Sequence, residues 1–391
     1  MKICIVNDHF SSGPGGQHRI QNLGLGLSRL GHKVLYVSSY GVSYNLGDLY
    51  IQKDFSFRYT FTKKYIRPYF DDFFGISSRL SRLQEKFNLV LIELPNTMMK
   101  ALSGFHGSIK GTTVAFDLGG LWTSTLDKGR IYPSSKGIPT PFRCMVQLFE
   151  DSVSFISAML PNIITVATTP FGEIVKRFLR VKTHLIYHPV DVDNVFKSSF
   201  LNREKQIGIV PDRLRGRELI LLGVKGDEWF TPTLFDLVRR VKGLNVAFIV
   251  LGSFPIAENI FIKSNLGNYV YFTGNVPYNQ VPYYVGMCKF GVVLAPNSMK
   301  DLRYAPHNIS KIADFLAAGK PVITNTLGAV DYISDYRTGF LVETQEQMMD
   351  RLDLLLHNQD LLFKMSIYAR EFAFGNLNYI IVAKKYLDLI K

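Results

Sequence analysis

Short apolar runs alternate with stretches of helical period along most of the chain. "KICIVN" near the start is followed by a glycine-rich loop, "SSGPGGQHR", and then by "HRIQNLGLGLSRLGH". That stretch carries Ile20, Leu23, Leu27 and Leu30 at the spacing of one helix face. Gly31 is placed to stop the helix. Further buried strands are predicted at "KVLYVSS", "NLVLIEL", "GTTVAFDL", "IITVAT" and "THLIYHP". Near residue 197 the pattern loosens into "KSSFLNREKQIGIVPDRLRGR", which reads as a linker. Alternation then resumes, with strands at "ELILLGVKG", "NVAFIVLGS", "NYVYFTGN", "FGVVLAP", "PVITNT" and "TGFLVET" and helices such as "TPTLFDLVRRVKG" and "NQVPYYVGMCK" between them. Strands regularly interleaved with helices give parallel sheets covered on both faces. The expected fold is therefore α/β, two doubly wound Rossmann-like domains in tandem with a cleft between them. The last helix, "LNYIIVAKKYLDLIK", is amphipathic through Ile380, Ala383, Tyr386 and Leu387 and can pack on either domain.

Composition supports two cores, because 391 residues exceed what one core usually covers. No apolar run is long enough to span a bilayer, and "MKICIVND" breaks at Asp8, so it reads as a strand and not as a secretory signal. Cys4, Cys144 and Cys288 share no metal-like spacing and fit a reducing, cytoplasmic setting. The net charge of +13 is uneven: residues 1–200 hold 23 Lys/Arg against 14 Asp/Glu, and the remainder 22 against 18. Such a surplus suits nucleic acid, an anionic membrane, phosphate-bearing ligands or simple solubility. In "FTKKYIRPYF", Lys63, Lys64 and Arg67 sit among aromatics, as a membrane-surface patch or an ordinary surface loop would. Nucleic-acid binding is not expected, since basic and aromatic residues are not interleaved in RNA-binding fashion.

The stretch "YAPHNISKIADFLAAGKPVITN" carries the most chemistry. With Asn308 as N-cap, Ile309, Ile312, Ala313, Phe315 and Leu316 share an arc facing the sheet, and Asp314 lies opposite. Ser310, Ala317 and Ala318 flank Asp314 and leave room for a ligand. A carboxylate there can accept paired hydrogen bonds from a diol. The helix N-terminus can hold a phosphate or a sugar hydroxyl. The plain alternative is a solvated face with Asp314 weakly paired to Lys311.

"SKIADFLAAGKPVITNTLGAVDYI" resembles the nucleotide-sugar motif of GT-B glycosyltransferases, especially family 4, which is retaining and nucleotide-sugar dependent. The resemblance extends over most of the chain. "GNVPYNQVPYYVGMCKFGVVLAPNS" is similar to the segment whose first residues read the base, here Gly274, Asn275 and Val276. "LLGVKGDEW" resembles the first strand and loop of the nucleotide domain, with Lys225 toward the diphosphate. "LIYHPVDVDNVF" is similar to the close of the N-terminal domain. The resemblance implies residues 1–196 as the acceptor-side domain, 207–374 as the donor domain, and a terminal helix, 375–391, crossing back onto the first. It puts Asp314 on the ribose, with Asn308, Ile309 and Ser310 at the helix start, and Lys300 and Arg303 on the diphosphate. Gly15 and Gly16 take the place of the family's Gly-Gly loop, although glycines in a tight turn need no ligand to explain them. Two departures stand out: Asp314 replaces the usual Glu, and Pro306 stands where the first acid of the E-x7-E form belongs. His307 or backbone amides would then make the missing sugar contact.

Catalytic candidates in the first half are His9, His18, His106 and Asp117. "TTVAFDLGGLW" ends a strand at Asp117, at a sheet edge where ligands bind. The resemblance matches Asp117 to a sugar-contacting His; the plain reading is a strand-end cap. In "DVDN", Asp191 and Asp193 read as a solvated or capping pair, and nothing requires a metal or other cofactor. A dinucleotide fingerprint fails, because its third glycine is His18 and the second strand ends in Ser38 and Ser39. The expected function is transfer of a hexose, GDP-mannose being the first donor to consider, to a glycan, lipid-linked or protein-linked hydroxyl with retention. A nucleotide-sugar epimerase is the alternative on the same fold, and a basic nucleic-acid binder the alternative on a different one. Peripheral membrane contact and a homodimer stay open.

Overall fold

The computed structural model describes residues 1–6, 18–37, 42–43, 86–94, 112–118, 161–200, 210–224, 232–295 and 309–391. The first sheet holds β1 (Lys2–Val6), β2 (Lys33–Val37), β3 (Val42–Ser43), β4 (Leu89–Leu94), β5 (Thr113–Leu118), β6 (Ile163–Val166) and β7 (His184–Leu185). Its order is β3-β2-β1-β4-β5-β6-β7. All pairs are parallel except β2 with the short edge strand β3. Side chains alternate between faces. In β1, Ile3 and Ile5 join one core with Ile20, Leu23 and Leu27 of α1 (His18–Arg29). Cys4 and Val6 join the opposite core with Phe171, Ile174 and Val175 of α2 (Thr169–Leu179). Burial on both faces explains why these strands read as unbroken apolar runs.

After α3 (Val192–Phe200) comes the second sheet: β8 (Glu218–Gly223), β9 (Val246–Val250), β10 (Val270–Phe272), β11 (Gly291–Val293), β12 (Val322–Thr324) and β13 (Gly339–Leu341). All its pairs are parallel, in the order β10-β9-β8-β11-β12-β13. Counted from β8, this is the 3-2-1-4-5-6 order of a Rossmann sheet, and the strand order reverses between β8 and β11. The described helices of this unit are α4 (Pro232–Arg240), α5 (Pro255–Lys263), α6 (Val281–Met287), α7 (Ile309–Ala317), α8 (Gln345–His357) and α9 (Gln359–Phe372). A π-helical turn, Ala373–Leu377, leads into α10 (Tyr379–Asp388).

The crossing between the domains is a paired one. The Val190 amide donates to the Leu377 carbonyl at 2.7 Å, and the Tyr379 amide donates to the Val190 carbonyl at 3.0 Å. Beyond it, Val192 and Val195 enter the core of the second unit. Gly286 of α6 lies so close to the Ser199 backbone that a Cβ would collide with it. Helix α3 therefore belongs with the second unit, and the passage lies at Val190, not at the loosened sequence near 197. The apolar residues of α3 are spaced for a helix, a signal that the polar run following them obscures.

Helix α10 packs on α1, where Gly26 leaves space that a Cβ would lose to Tyr379 O and Ala383. Its buried face is Val382, Ala383, Tyr386 and Leu387. Among the described residues no helix is long and apolar enough to cross a membrane.

Candidate functional site

The site is built on α7, which follows β11 at the strand-order reversal. The helix comes close to the sheet because Gly291 of β11 has no side chain; a Cβ there would strike the Phe315 ring. Ile309, Ile312, Ala313, Phe315, Leu316 and Ala317 are all buried in one core. The outer side of α7 is covered too, by α3, α9 and the π-helical turn. The small side chains of Ala313, Ala317 and Ala318 fit that close packing. Asp314 is thus not on a solvated face; it is 9% exposed. Ile309 serves the core with its side chain and can offer a ligand only its backbone at the helix start, while Ser310 beside it is half-buried.

The Tyr278 hydroxyl donates to Asp314 Oδ1 at 2.9 Å. Among the described residues this is the only hydrogen bond to the Asp314 side chain, and Oδ2 has none. Burial pushes the Asp314 carboxyl up to about 7, opposed by the Tyr278 hydrogen bond and the Lys311 charge. The Tyr278 phenol is raised well above its usual range, by burial first and then by the charge and hydrogen bond of Asp314 and the charge of Asp191. Asp191 accepts from the Asn194 amide at 3.2 Å and so caps α3, and Asp193 stands in that helix's first turn.

Gly274, Asn275 and Val276 come just before Tyr278. Gly274 has φ +69°, and its carbonyl accepts from the Gly252 amide at 3.0 Å, closing the ends of β9 and β10. Asn275 is exposed and Val276 is half-buried against the core. The structure thus joins the segment expected to read a base to the acid expected to hold a ribose, through one tyrosine that the sequence did not single out. Two more residues border the site, of which the sequence marks only Lys311, beside Asp314. Lys311 runs beside Gly223 at the end of β8, where a Cβ would be 3.2 Å from its Cδ. Asn325, after β12, grips Ala295 twice: Oδ1 accepts from the Ala295 amide at 2.7 Å and Nδ2 donates to the Ala295 carbonyl at 3.0 Å. Lys311 stands one helical turn before Asp314; Asn325 has no sequence signal of its own, and only the parallel pairing of β11 with β12 brings it to Ala295.

Gly15, Gly16, Lys225, Lys300, Arg303, His307 and Asn308 lie outside the described residues, as do His9, His106, Lys63, Lys64, Arg67 and Pro306; of His18 only the backbone, at the start of α1, is described.

Asp117 is corrected. It is fully buried, and both carboxylate oxygens are engaged: Arg19 Nε donates to Oδ2 at 2.7 Å, and Arg19 Nη2 and Thr165 Oγ1 donate to Oδ1 at 2.9 and 2.6 Å. Arg19 also donates to the Tyr187 and Ile186 carbonyls at 3.0 and 2.9 Å. A carboxylate held this way ties β5, β6 and α1 to the chain leaving β7, and it is not presented to an acceptor or a sugar. The edge position was legible, but the arginine lies 98 residues earlier, at the start of α1.

Residues 220–358 match the family model described as Glycosyl transferases group 1. Sucrose-phosphate synthase from Thermosynechococcus elongatus superposes with a TM-score of 0.70 at 14% identity, over 99% of this chain and 98% of that one. The chain has the GT-B fold, and its second domain carries a group 1 glycosyltransferase match. WaaG, a glycosyltransferase involved in lipopolysaccharide biosynthesis, superposes on this GT-B chain with a TM-score of 0.65 at 14% identity, over 100% and 99% of the two chains. Anabaena HepE in complex with UDP and glucose gives 0.61 at 15% identity, over 99% and 98%. No curated protein matches the chain by sequence. The family match lies on the second GT-B domain and favours sugar transfer over epimerisation.

Proposed function

We propose that this GT-B chain is a hexosyltransferase that holds its nucleoside diphosphate donor at the strand-order reversal of the second sheet. One observation carries the reading: Asp314, nearly buried on a helix at that position, keeps a carboxylate oxygen without a partner among the described residues. Such an oxygen suits the hydroxyls of a ribose. Asn275 and Val276 would border the base. Lys311, with Lys225, Lys300 and Arg303, would neutralise the departing diphosphate, where fixed positive charge lowers the barrier most. His307 would stand at the sugar, and Gly15 and Gly16 would close the cleft from the first domain.

In the proposed reaction an acceptor hydroxyl attacks the anomeric carbon from the side on which the diphosphate leaves. The carbon–oxygen bond to the β-phosphate breaks, the new glycosidic bond forms, and the hydroxyl proton passes to the departing phosphate oxygen. This retaining route needs no protein base, which accords with the engaged state of Asp117, and it calls on no metal. NMR of the earliest product reads the anomeric configuration. The acceptor is a glycan or a lipid- or protein-linked hydroxyl; for a lipid-linked one, flotation with anionic vesicles tests membrane contact.

Calorimetry against UDP-, GDP-, ADP- and TDP-sugars tests the donor. The family 4 resemblance makes GDP-mannose the first candidate, and the UDP held by HepE makes UDP-hexoses the second. Absence of binding to all four classes would refute the reading.

A further inference from the structure

We propose that Tyr278 is the positioning residue for the donor-binding carboxylate, occupying one oxygen of Asp314 and thereby directing the other toward the ribose. This deepens the nucleotide-site reading and rests on it. An aspartate side chain has two torsions, and on a closely packed helix the first is set by its neighbours. Rotation about the second still exchanges the two oxygens. The hydrogen bond at 2.9 Å from Tyr278 to Oδ1 removes that freedom. It leaves Oδ2 without a partner among the described residues, so the ligand meets one fixed acceptor.

The placement of Tyr278 serves the same end. It opens a short turn of 3-10 helix, Tyr278–Gln280, directly after Pro277, whose φ of −57° is fixed by its ring. Three and two residues earlier the chain passes Asn275 and Val276, beside the expected base. Tyr278 thus couples the base-side segment to the ribose-side helix through one bond. Among the described residues, the charged and titratable groups facing the pair are Lys311 on α7 and Asp191 at the cap of α3. Lys311 favours the ionised carboxylate, and so does the phenol. Removing the phenol therefore raises the pH at which Asp314 ionises, an effect that mere loss of packing does not produce.

The test is calorimetry of GDP and UDP, with their 2′- and 3′-deoxy counterparts, from pH 5.5 to 9. It compares the wild type with Tyr278→Phe, Asp314→Asn and the double variant, each checked for cooperative unfolding. For the wild type, affinity should rise with pH through about 7. In Tyr278→Phe the midpoint should move up by about one unit and the high-pH affinity fall about five- to tenfold. In the Asp314→Asn background Tyr278→Phe should change affinity less than twofold, and with a deoxy ligand lacking the bonded hydroxyl its effect should shrink likewise. An unchanged midpoint and affinity in Tyr278→Phe, while Asp314→Asn binds weakly, would overturn the role of Tyr278 alone. An equal loss in both backgrounds would do so too. Full affinity in Asp314→Asn, or no binding of either nucleotide, would overturn the nucleotide site itself.

Discussion

Arg19 and Asp117 form a two-pronged ion pair sealed inside the first domain, with Arg19 Nε 2.7 Å from Oδ2 and Nη2 2.9 Å from Oδ1. Their side chains are 5% and 0% exposed. Breaking such a pair leaves a buried charge uncompensated, so Asp117→Ala should cost about 3–5 kcal/mol of stability. Replacing both, as Arg19→Met with Asp117→Leu, should be much milder, because no charge stays stranded. Denaturant unfolding of the three variants checks this. A stable Asp117→Ala protein that has lost turnover would return Asp117 to catalysis.

A second tie spans the two domains. Asp331 accepts from the Thr169 amide and hydroxyl at 2.6 and 2.7 Å, which places a carboxylate at the N-terminus of α2. Next to it, the Tyr332 hydroxyl donates to the Ala167 carbonyl and accepts from the His188 amide, both at 3.0 Å. Asp331 thus caps the helix from the neighbouring domain. Asp331→Ala should lower stability by about 0.5–2 kcal/mol, the range for a lost cap. A double-mutant cycle with Thr169→Val isolates the side-chain part. Strict additivity would remove the hydroxyl contact from the account.

Asp314 makes stability depend on pH in the less common direction for an acid. Its carboxyl ionises near 3.8 when free and at about 7 in the fold. Between these values the folded chain binds the extra proton, so stability falls as pH rises from about 4 to about 7. One unit is worth about 1.4 kcal/mol, which puts the contribution on the order of 4 kcal/mol. Asp314→Asn should flatten that part of the profile. Melting temperatures from pH 4.5 to 8 decide it; identical slopes in both proteins would contradict the burial of this carboxylate.

Strand and helix periods predicted the architecture well, because strands buried on both faces leave unbroken apolar runs. "KICIV", "ELILLG" and "VAFIV" are the whole of β1, β8 and β9. The edge strand β3 has two residues and no period to detect. The motif around Asp314 was legible by resemblance, but its surroundings were not. Periodicity marks one packed face, and the second face of α7 is closed by alanines, which carry little hydrophobic signal. Tyr278 and Asn325 reach the site from separate elements, and pairing at such separations leaves no trace in local spacing. Asp117 failed for the same reason, since its partner comes from the far end of β1's connection.

The proposed reaction leaves the diphosphate charge to Lys and Arg side chains and helix-terminal amides, and so predicts metal independence. Turnover with EDTA should equal turnover without it. Loss of donor binding on chelation, restored by manganese, would place a cation where the account puts lysines.

Asp314 is proposed to hold the ribose of a nucleotide donor. The direct measurement is calorimetric affinity for the preferred nucleoside diphosphate at pH 8, wild type against folded Asp314→Ala. A charge-assisted hydrogen bond lost should weaken binding by roughly 1.5–3 kcal/mol, more than tenfold in Kd. Equal affinity in a folded Asp314→Ala protein would contradict the claim.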